Sequence, residues 1–477
     1  MKFQFTVNVK DRRTNARLGE VLCGADEVDG DVSTLPTPTL LVPTSKGEHA
    51  LLTLDVLASV EKRLLSILFY KRGEKLTIDE TTRLFGAVVI GGHFVEKSGR
   101  GLKRVRDEAE EAKGKSGEEN GDEARERERA AAIYAEKGPP SRRLTVGHYR
   151  DSMYFGLNSQ ARAATGILCD TPFGQKSMTP EEYSRIWSGD AHVACALADE
   201  HVGWESMKKS KTAAIRTCEW LDVCVRESKA NDIPLWGVVL GGEFKDVRVE
   251  CSKKVAERDE DLAGYVLGGF YAGETPSKRN ELIQCVIDHL PAQKPRYLPG
   301  ITTLEDIIDN IERGVDVFDA TWASETASRG RAFVFPIRSE DVLDWNEETE
   351  EWNQPCATTG ADAYSINIWS TAYKRDFSPF IDKTTRGDVC ACPACTEHTR
   401  AYVHHLLQAH EMTSHVLLEA HNLFHLASFF AAARRALRDG SWTRFATFHR
   451  RYAASSRFVE SAVAPVASAE HNTAVRK

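Results

Sequence analysis

No run of about 18 apolar residues occurs in this chain of 477, which predicts no transmembrane span. The opening "MKFQFTVNVKDRRTNARLGE" has no uninterrupted apolar core and meets basic residues early, so no secretory leader is expected. Cysteine is sparse: there are 11, an odd number, and Cys23, Cys169, Cys195, Cys218, Cys224, Cys251, Cys285 and Cys356 are scattered. That spacing argues against a disulfide framework and predicts reduced thiols in an intracellular compartment. Positive charge is not in excess either. With 62 Lys and Arg against 70 Asp and Glu, the net charge of −8 argues against nonspecific coating of nucleic acid. It leaves room for a local basic face on an acidic body.

What is present points to a folded body with one interruption. Hydrophobic residues make up 42% and charged residues 28%, enough to build a full core. Between about Lys97 and Arg143 the composition turns to "RDEAEEAKGKSGEENGDEARERERA", mixed in charge and nearly free of apolar residues. Such a segment cannot offset its ordering entropy by burial and is expected to be solvated, with at most a transient helix around Glu123–Ala132. Beyond it, "DAHVACALADE", "PLWGVVLGGEF", "AGYVLGGFYAG", "PRYLPGI" and "GVDVFDA" read as buried strands. They alternate with the amphipathic runs "KSKTAAIRTCEWLDVCVRESKA", "VECSKKVAERDEDL", "SKRNELIQCVIDHL" and "TLEDIIDNIERG". Strand–helix alternation on this scale predicts an α/β fold with parallel strands, and an eight-unit barrel suits the length.

The remaining cysteines are crowded. In "DVCACPACTEHTRAYVHHLLQAHE", Cys390, Cys392 and Cys395 fall within six residues, beside Gly387 and Pro393, which suit a turning knuckle. Three thiolates at C-x-C-x-x-C spacing need one further nitrogen or sulfur donor to close a tetrahedral zinc site. His398 would require a tight turn, and His404, His405 and His410 lie on the first helix. His421 and His425 share a helical face further on, and spacing does not choose among them.

The stretch "CACPACTEHTRAYVHHLLQAHEMTSHVLLEAHNLFH" resembles the zinc-binding end of the tRNA-guanine transglycosylases, the queuine tRNA-ribosyltransferases. The resemblance extends through "TPEEY", "ADEH", "GVVLGG", "YVLGGFYAGE", "LPAQKPRYLPGI" and "IERGVDVFDA". It implies a (β/α)8 TIM-type barrel with a C-terminal zinc-binding helical subdomain. It selects Cys390, Cys392, Cys395 and His421 as ligands of one structural Zn2+ per subunit. It also implies exchange of a guanine base in tRNA, with Asp319 where the family keeps its nucleophile and Asp199 where a carboxylate reads the base edge. Gly268 and Gly269 then match the backbone lying against the base. Taken alone, Asp319 reads equally well as a strand-end helix cap or a loop salt-bridge partner.

Other positions depart from the family pattern. No "TDSGG"-type stretch is present; the nearest dipeptide is Asp151-Ser152, without the glycines. Leu240 replaces the base-reading glutamine of "QGG", and a leucine cannot hydrogen-bond a purine. After Asp319, "ATWASE" puts Glu325 where an arginine is expected, reversing a charge beside a polyanionic substrate. The pattern resembles the non-catalytic accessory subunit of the eukaryotic queuine enzyme. On that reading it dimerises with a catalytic subunit and helps seat tRNAs with GUN anticodons for guanine-to-queuine exchange at wobble position 34. The rivals are an active transglycosylase using Asp319 and a zinc-stabilised RNA-binding scaffold. The expected division is 1–97, the N-terminal part of the barrel; 98–143, the charged insertion; 144–385, the remaining barrel; 386–460, the zinc-binding subdomain; and 461–477, a loose tail. The expected compartment is the cytoplasm, with nuclear or organelle-surface association left open.

The stretch "FFAAARRALRDGSWTRFATFHRRY" interleaves arginines with Trp442, Phe445, Phe448 and Tyr452. Arg434, Arg435, Arg438, Arg450 and Arg451 are therefore candidates for contacting tRNA. The favoured alternative is an amphipathic helix pair with buried aromatics and solvated arginines.

Overall fold

The short apolar runs pair edge to edge until no margin is left. The structure is a computed structural model describing residues 2–24, 32–45, 51–52, 60, 85–90, 145–148, 165–171, 174–187, 191–201, 206–341, 345–352, 364–381 and 390–460. The 98–143 insertion, Asp151-Ser152 and the 461–477 tail lie outside these residues. Three strands, β1 (Lys2–Lys10), β2 (Arg17–Gly24) and β3 (Val32–Thr37), form a separate antiparallel sheet. The barrel begins only at β4 (Thr39–Ser45), continuing with β5 (Phe85–Ile90) and β6 (Thr145–His148). A hairpin of β7 (Ile167–Thr171) and β8 (Gly174–Met178) intervenes. Then follow β9 (Val193–Cys195), β10 (Leu235–Val239), β11 (Gly264–Leu267), β12 (Arg296–Leu298) and β13 (Val317–Asp319). β13 pairs with β4, Val317 opposite Thr39 and Asp319 opposite Leu41, and closes an eight-stranded parallel barrel. From β9 to β13 every strand residue is buried, as parallel strands covered on both faces require.

The covering helices carry their own start signals. In "TPEEY", Thr179 and Glu182 form a reciprocal capping box with Pro180 in the first turn of α1 (Pro180–Ile186). Ser206 caps α2 (Met207–Asn231), while α3 (Lys245–Ala256) has no side-chain cap. Thr275 and Thr303 cap α4 (Pro276–Ile287) and α5 (Leu304–Arg313). Gly314, at φ +90°, ends α5 in the left-handed region that disfavours a side chain.

Residues 2–24 and 32–37 form a cap rather than barrel strands, unlike the expectation for 1–97. Arg17 of β2 donates from Nε and Nη2 to the two oxygens of Asp316, at 2.7 and 2.5 Å, just before β13. The backbone N–H of Arg296 adds a third bond to that carboxylate at 2.8 Å. This buried fork ties the antiparallel sheet to the amino end of the barrel strands, the end associated with stability.

After α6 (Thr321–Ser328) the chain builds two small antiparallel pairs. These are β14 (Arg331–Phe333) with β17 (Ser365–Asn367), and β15 (Trp345–Asn346) with β16 (Glu351–Trp352). Four helices follow: α7 (Pro393–Glu397), α8 (Arg400–Gln408), α9 (Thr413–Arg438) and α10 (Trp442–Glu460). Among the described helices α9 alone is long and apolar enough to cross a membrane, but 83% of its apolar window is buried within the fold.

α9 and α10 clamp the extended segment that leaves β14. His421 Nε2–H donates to the Phe333 carbonyl and His425 Nε2–H to that of Phe335, both at 2.8 Å. His449 Nε2–H reaches the Ile337 carbonyl at 3.3 Å, and Asn422 Oδ1 accepts from Phe333 N–H at 2.8 Å. Every second carbonyl of an extended chain faces one way, and helix residues four apart share a face, so the two periods mesh.

Candidate metal centre and base pocket

Cys390, Cys392 and Cys395 converge with His421, their ligand atoms all lying within 4.8 Å of one another. Pro393 starts the single-turn α7, turning the knuckle so that its sulfurs face α9. His421 Nδ1 lies 3.9, 3.3 and 3.4 Å from the sulfurs of Cys390, Cys392 and Cys395. Because Nε2 must carry the proton given to Phe333, Nδ1 is the nitrogen that faces the thiols. Burial opposes charge on this ring, yet the Cys395 thiolate and hydrogen bonds from Cys390 and Cys395 raise its pKa well above that of a free imidazole. Hydrogen bonds from Cys390 and Cys392 lower that of Cys395. The proton on Nδ1 and those on the thiols give way to a dication, and the Cys3His set so freed is a closed tetrahedral donor set.

The other histidines are otherwise engaged. His425 is spent on Phe335, and His404 is buried rather than on a polar face, its Nδ1 2.8 Å from the Ile368 carbonyl. His405, on α8, and His410, just past its end, are exposed.

The family-matched carboxylates lie at the carboxyl ends of barrel strands, where barrel chemistry belongs. Asp199, fully buried beyond β9, is already paired. Arg216 of α2 donates to its Oδ2, His201 Nε2 sits 3.4 Å from Oδ1, and its own N–H bonds Thr217 Oγ1 at 3.0 Å. Asp319, at the tip of β13, is 1% exposed. Its Oδ2 accepts from Gly300 N–H at 2.7 Å and lies 3.5 Å from the Tyr297 hydroxyl. Its Oδ1 accepts from Thr321 N–H at 3.1 Å, a local cap at the start of α6.

Gly268 and Gly269 follow β11, and Leu240 packs directly on them. A Cβ built at Gly268 would stand 2.7 Å from Leu240 Cδ2. Gly269 has φ +67°, the left-handed region, and donates its N–H to Glu200 Oε1 at 2.5 Å. Arg248 of α3 threads beneath this turn, 1% exposed. It donates to the carbonyls of Gly242, Gly268 and Gly269 at 2.7, 3.1 and 2.9 Å and stacks over Phe270 at 3.7 Å. Burial pulls its pKa down to about 10, so it stays cationic at neutral pH. Neither Arg216 nor Arg248 was singled out from the sequence; their partners lie on other elements, and no local motif marks them.

Glu325 pairs with Arg329 one helical turn on, at 3.7 Å. The arginines of α9 and α10 divide. Arg434 is a correction to the tRNA-contact candidates: it is 4% exposed, gives a 2.7 Å bond to the Pro38 carbonyl, and cannot meet a phosphate. Arg450 bonds Asp309 and Glu312 at 2.8 and 2.5 Å, and Arg451 pairs with Glu350 at 3.4 Å. Arg438 is exposed and Arg435 half-buried, neither with a carboxylate partner among the described ion pairs. Trp442, Phe448 and Tyr452 are buried, Phe448 against Trp345, Tyr452 against Tyr364, and Trp442 donating to Glu312 of α5.

The family model for queuine tRNA-ribosyltransferase matches residues 144–455, more than half of the chain. Human queuine tRNA-ribosyltransferase accessory subunit 2 is 31% identical over 284 residues, covering 56% of this chain and 65% of its own. The zebrafish (Danio rerio) accessory subunit 2 is 32% identical over 282 residues, 55% and 64% of the two chains. A queuine tRNA-ribosyltransferase of Lachnospira eligens is 28% identical over 278 residues, 56% and 64%. The matched stretch thus spans just under two thirds of the length of these relatives.

Proposed function

The chain belongs to the queuine tRNA-ribosyltransferase family, and from that premise we propose that it serves as a non-catalytic accessory subunit. It pairs with a catalytic subunit and helps seat tRNAs with GUN anticodons while guanine at position 34 is exchanged for queuine. The observation that carries this reading is the state of the base pocket. Leu240 lies against Gly268, where a base would rest, and the base-reading carboxylate Asp199 is committed to Arg216. Binding a purine there would leave its polar edge facing leucine and require the Asp199 ion pair to open, a cost of several kcal/mol by order of magnitude, about 3–5.

One Zn2+ per subunit, held by Cys390, Cys392, Cys395 and His421, is part of this proposal. With four protein donors and no open position, the ion would tie the knuckle to α9 and perform no chemistry. Two strongly exposed apolar side chains, Phe377 at 77% and Met412 at 69%, lie on the elements around this cluster and support a subunit contact there. The tRNA contacts proposed on the helical end are Arg435 and Arg438, which keep no acidic partner among the described ion pairs.

Light scattering on the chain mixed with a catalytic queuine tRNA-ribosyltransferase subunit tests the pairing. The expected species is a one-to-one heterodimer that Phe377→Asp weakens about tenfold or more. Two independent homodimers in the mixture would overturn the proposal.

A further inference from the structure

Two cysteines that look unrelated in the sequence, Cys218 and Cys251, meet between α2 and α3 with their sulfurs 3.9 Å apart. Both thiols are free, and both line a shallow cleft of about 10 Å³, room for one small molecule the size of water, framed by Lys211, Ile215, Val247, Glu250 and Lys254. We propose that this pair is a dithiol modification site, oxidised to an intramolecular disulfide by hydrogen peroxide that reaches it from the cleft.

The chemistry is set by the contact. The contact with the Cys251 sulfur lowers the pKa of Cys218, against its burial, with Lys254 and Arg258 adding to the effect. Cys218 is also the more exposed of the two, 9% against 2%, so it is the sulfur that meets an oxidant first. Its thiolate attacks one peroxide oxygen; the O–O bond breaks and hydroxide leaves as water, giving a sulfenic acid. Cys251 sulfur then attacks the Cys218 sulfur, the S–O bond breaks, and a second water departs with the Cys251 proton. Each sulfur is oxidised by one electron equivalent, and the two peroxide oxygens are reduced to water. The sulfurs must close from 3.9 Å to about 2.05 Å.

The site is wired to the base pocket. Cys251 Sγ accepts a 3.4 Å hydrogen bond from the backbone N–H of Leu240, the residue lying on Gly268. Closing the disulfide draws that sulfur toward α2 and loosens this bond. Cys195 and Cys224 provide internal controls, since both are buried and burial raises their pKa values.

The test treats the full, zinc-loaded chain with hydrogen peroxide, quenches the peroxide, unfolds the chain in denaturant, alkylates the remaining thiols and reads the peptides by mass spectrometry. The expected product is the Cys218 peptide joined to the Cys251 peptide with loss of two hydrogens. A dithiol reductant should reverse it, while zinc content stays constant and Cys195 and Cys224 remain fully alkylated. In Cys251→Ala, Cys218 should instead accumulate as a sulfenic acid trapped by dimedone. In Cys218→Ala, consumption of the Cys251 thiol should slow about tenfold or more. Oxidation of Cys218 to sulfinic acid without the cross-link overturns the proposal. So does disulfide formation confined to Cys390, Cys392 and Cys395 after zinc release.

Discussion

At the residue scale, the same side chains that would perform base exchange are used to hold structure. Asp319 takes two backbone N–H groups, and Asp199 gives one oxygen to a guanidinium while the other keeps only His201 at 3.4 Å, without a hydrogen bond among the described residues. A second residue-scale consequence concerns acid. His449, fully buried among Phe429, Phe445 and Phe448, has its pKa pulled down to about 3 by burial. The unfolded chain regains a histidine near 6.5 and takes up a proton that the folded chain refuses. Stability is therefore whole above about pH 6.5 and falls as pH drops toward 3, by up to about 1.4 kcal/mol per pH unit. Urea midpoints measured between neutral and mildly acidic pH should show this slope, and His449→Phe should flatten it. An unchanged slope in that variant would contradict the assignment.

At the element scale, α9 does two jobs with residues four apart, and substitution separates them. His421→Ala should release the metal and destabilise the helical end, because structural zinc binding is coupled to folding. Cys392→Ala should behave likewise. His425→Ala should keep the metal and lose about 1–3 kcal/mol by leaving the Phe335 carbonyl buried without a donor. Metal content by emission spectroscopy together with thermal melts distinguishes the two; metal loss in His425→Ala would reverse the assignment. At the opposite end, Arg17→Ala should strand the buried Asp316 charge and cost about 3–5 kcal/mol, read by chemical denaturation. A loss below 1 kcal/mol would mean the N-terminal sheet is not anchored there.

At the scale of the whole molecule, the parts legible in the sequence are those with a local period. The runs ending at Cys195, Val239, Leu267, Leu298 and Asp319 announce buried parallel strands, and the Thr–Pro and Thr–x–x–Asp starts announce the helices between them. The knuckle is equally local, three cysteines in one turn; its fourth ligand is not. Spacing left His421 and His425 equal, and what separates them is which one meets Phe333 and which meets Phe335. The N-terminal sheet was illegible because its strands alternate like any half-buried strand, and nothing local says they pair with one another rather than join the barrel. Arg434 misled for a related reason: α9 is buried on most of its circumference, so an arginine on it need not face water. The pairing of Asp199 with Arg216 is a tertiary fact between a strand end and a helix.

The central claim is that this chain's pocket takes no part in the exchange reaction. It is tested most directly by mixing the chain with the catalytic subunit proposed as its partner and placing Asp319→Asn in this chain alone. Labelled guanine incorporation into tRNA should then match the unmodified complex within about twofold, and this chain by itself should incorporate none. A fall of about a hundredfold or more with Asp319→Asn, or robust incorporation by the isolated chain, would contradict the account.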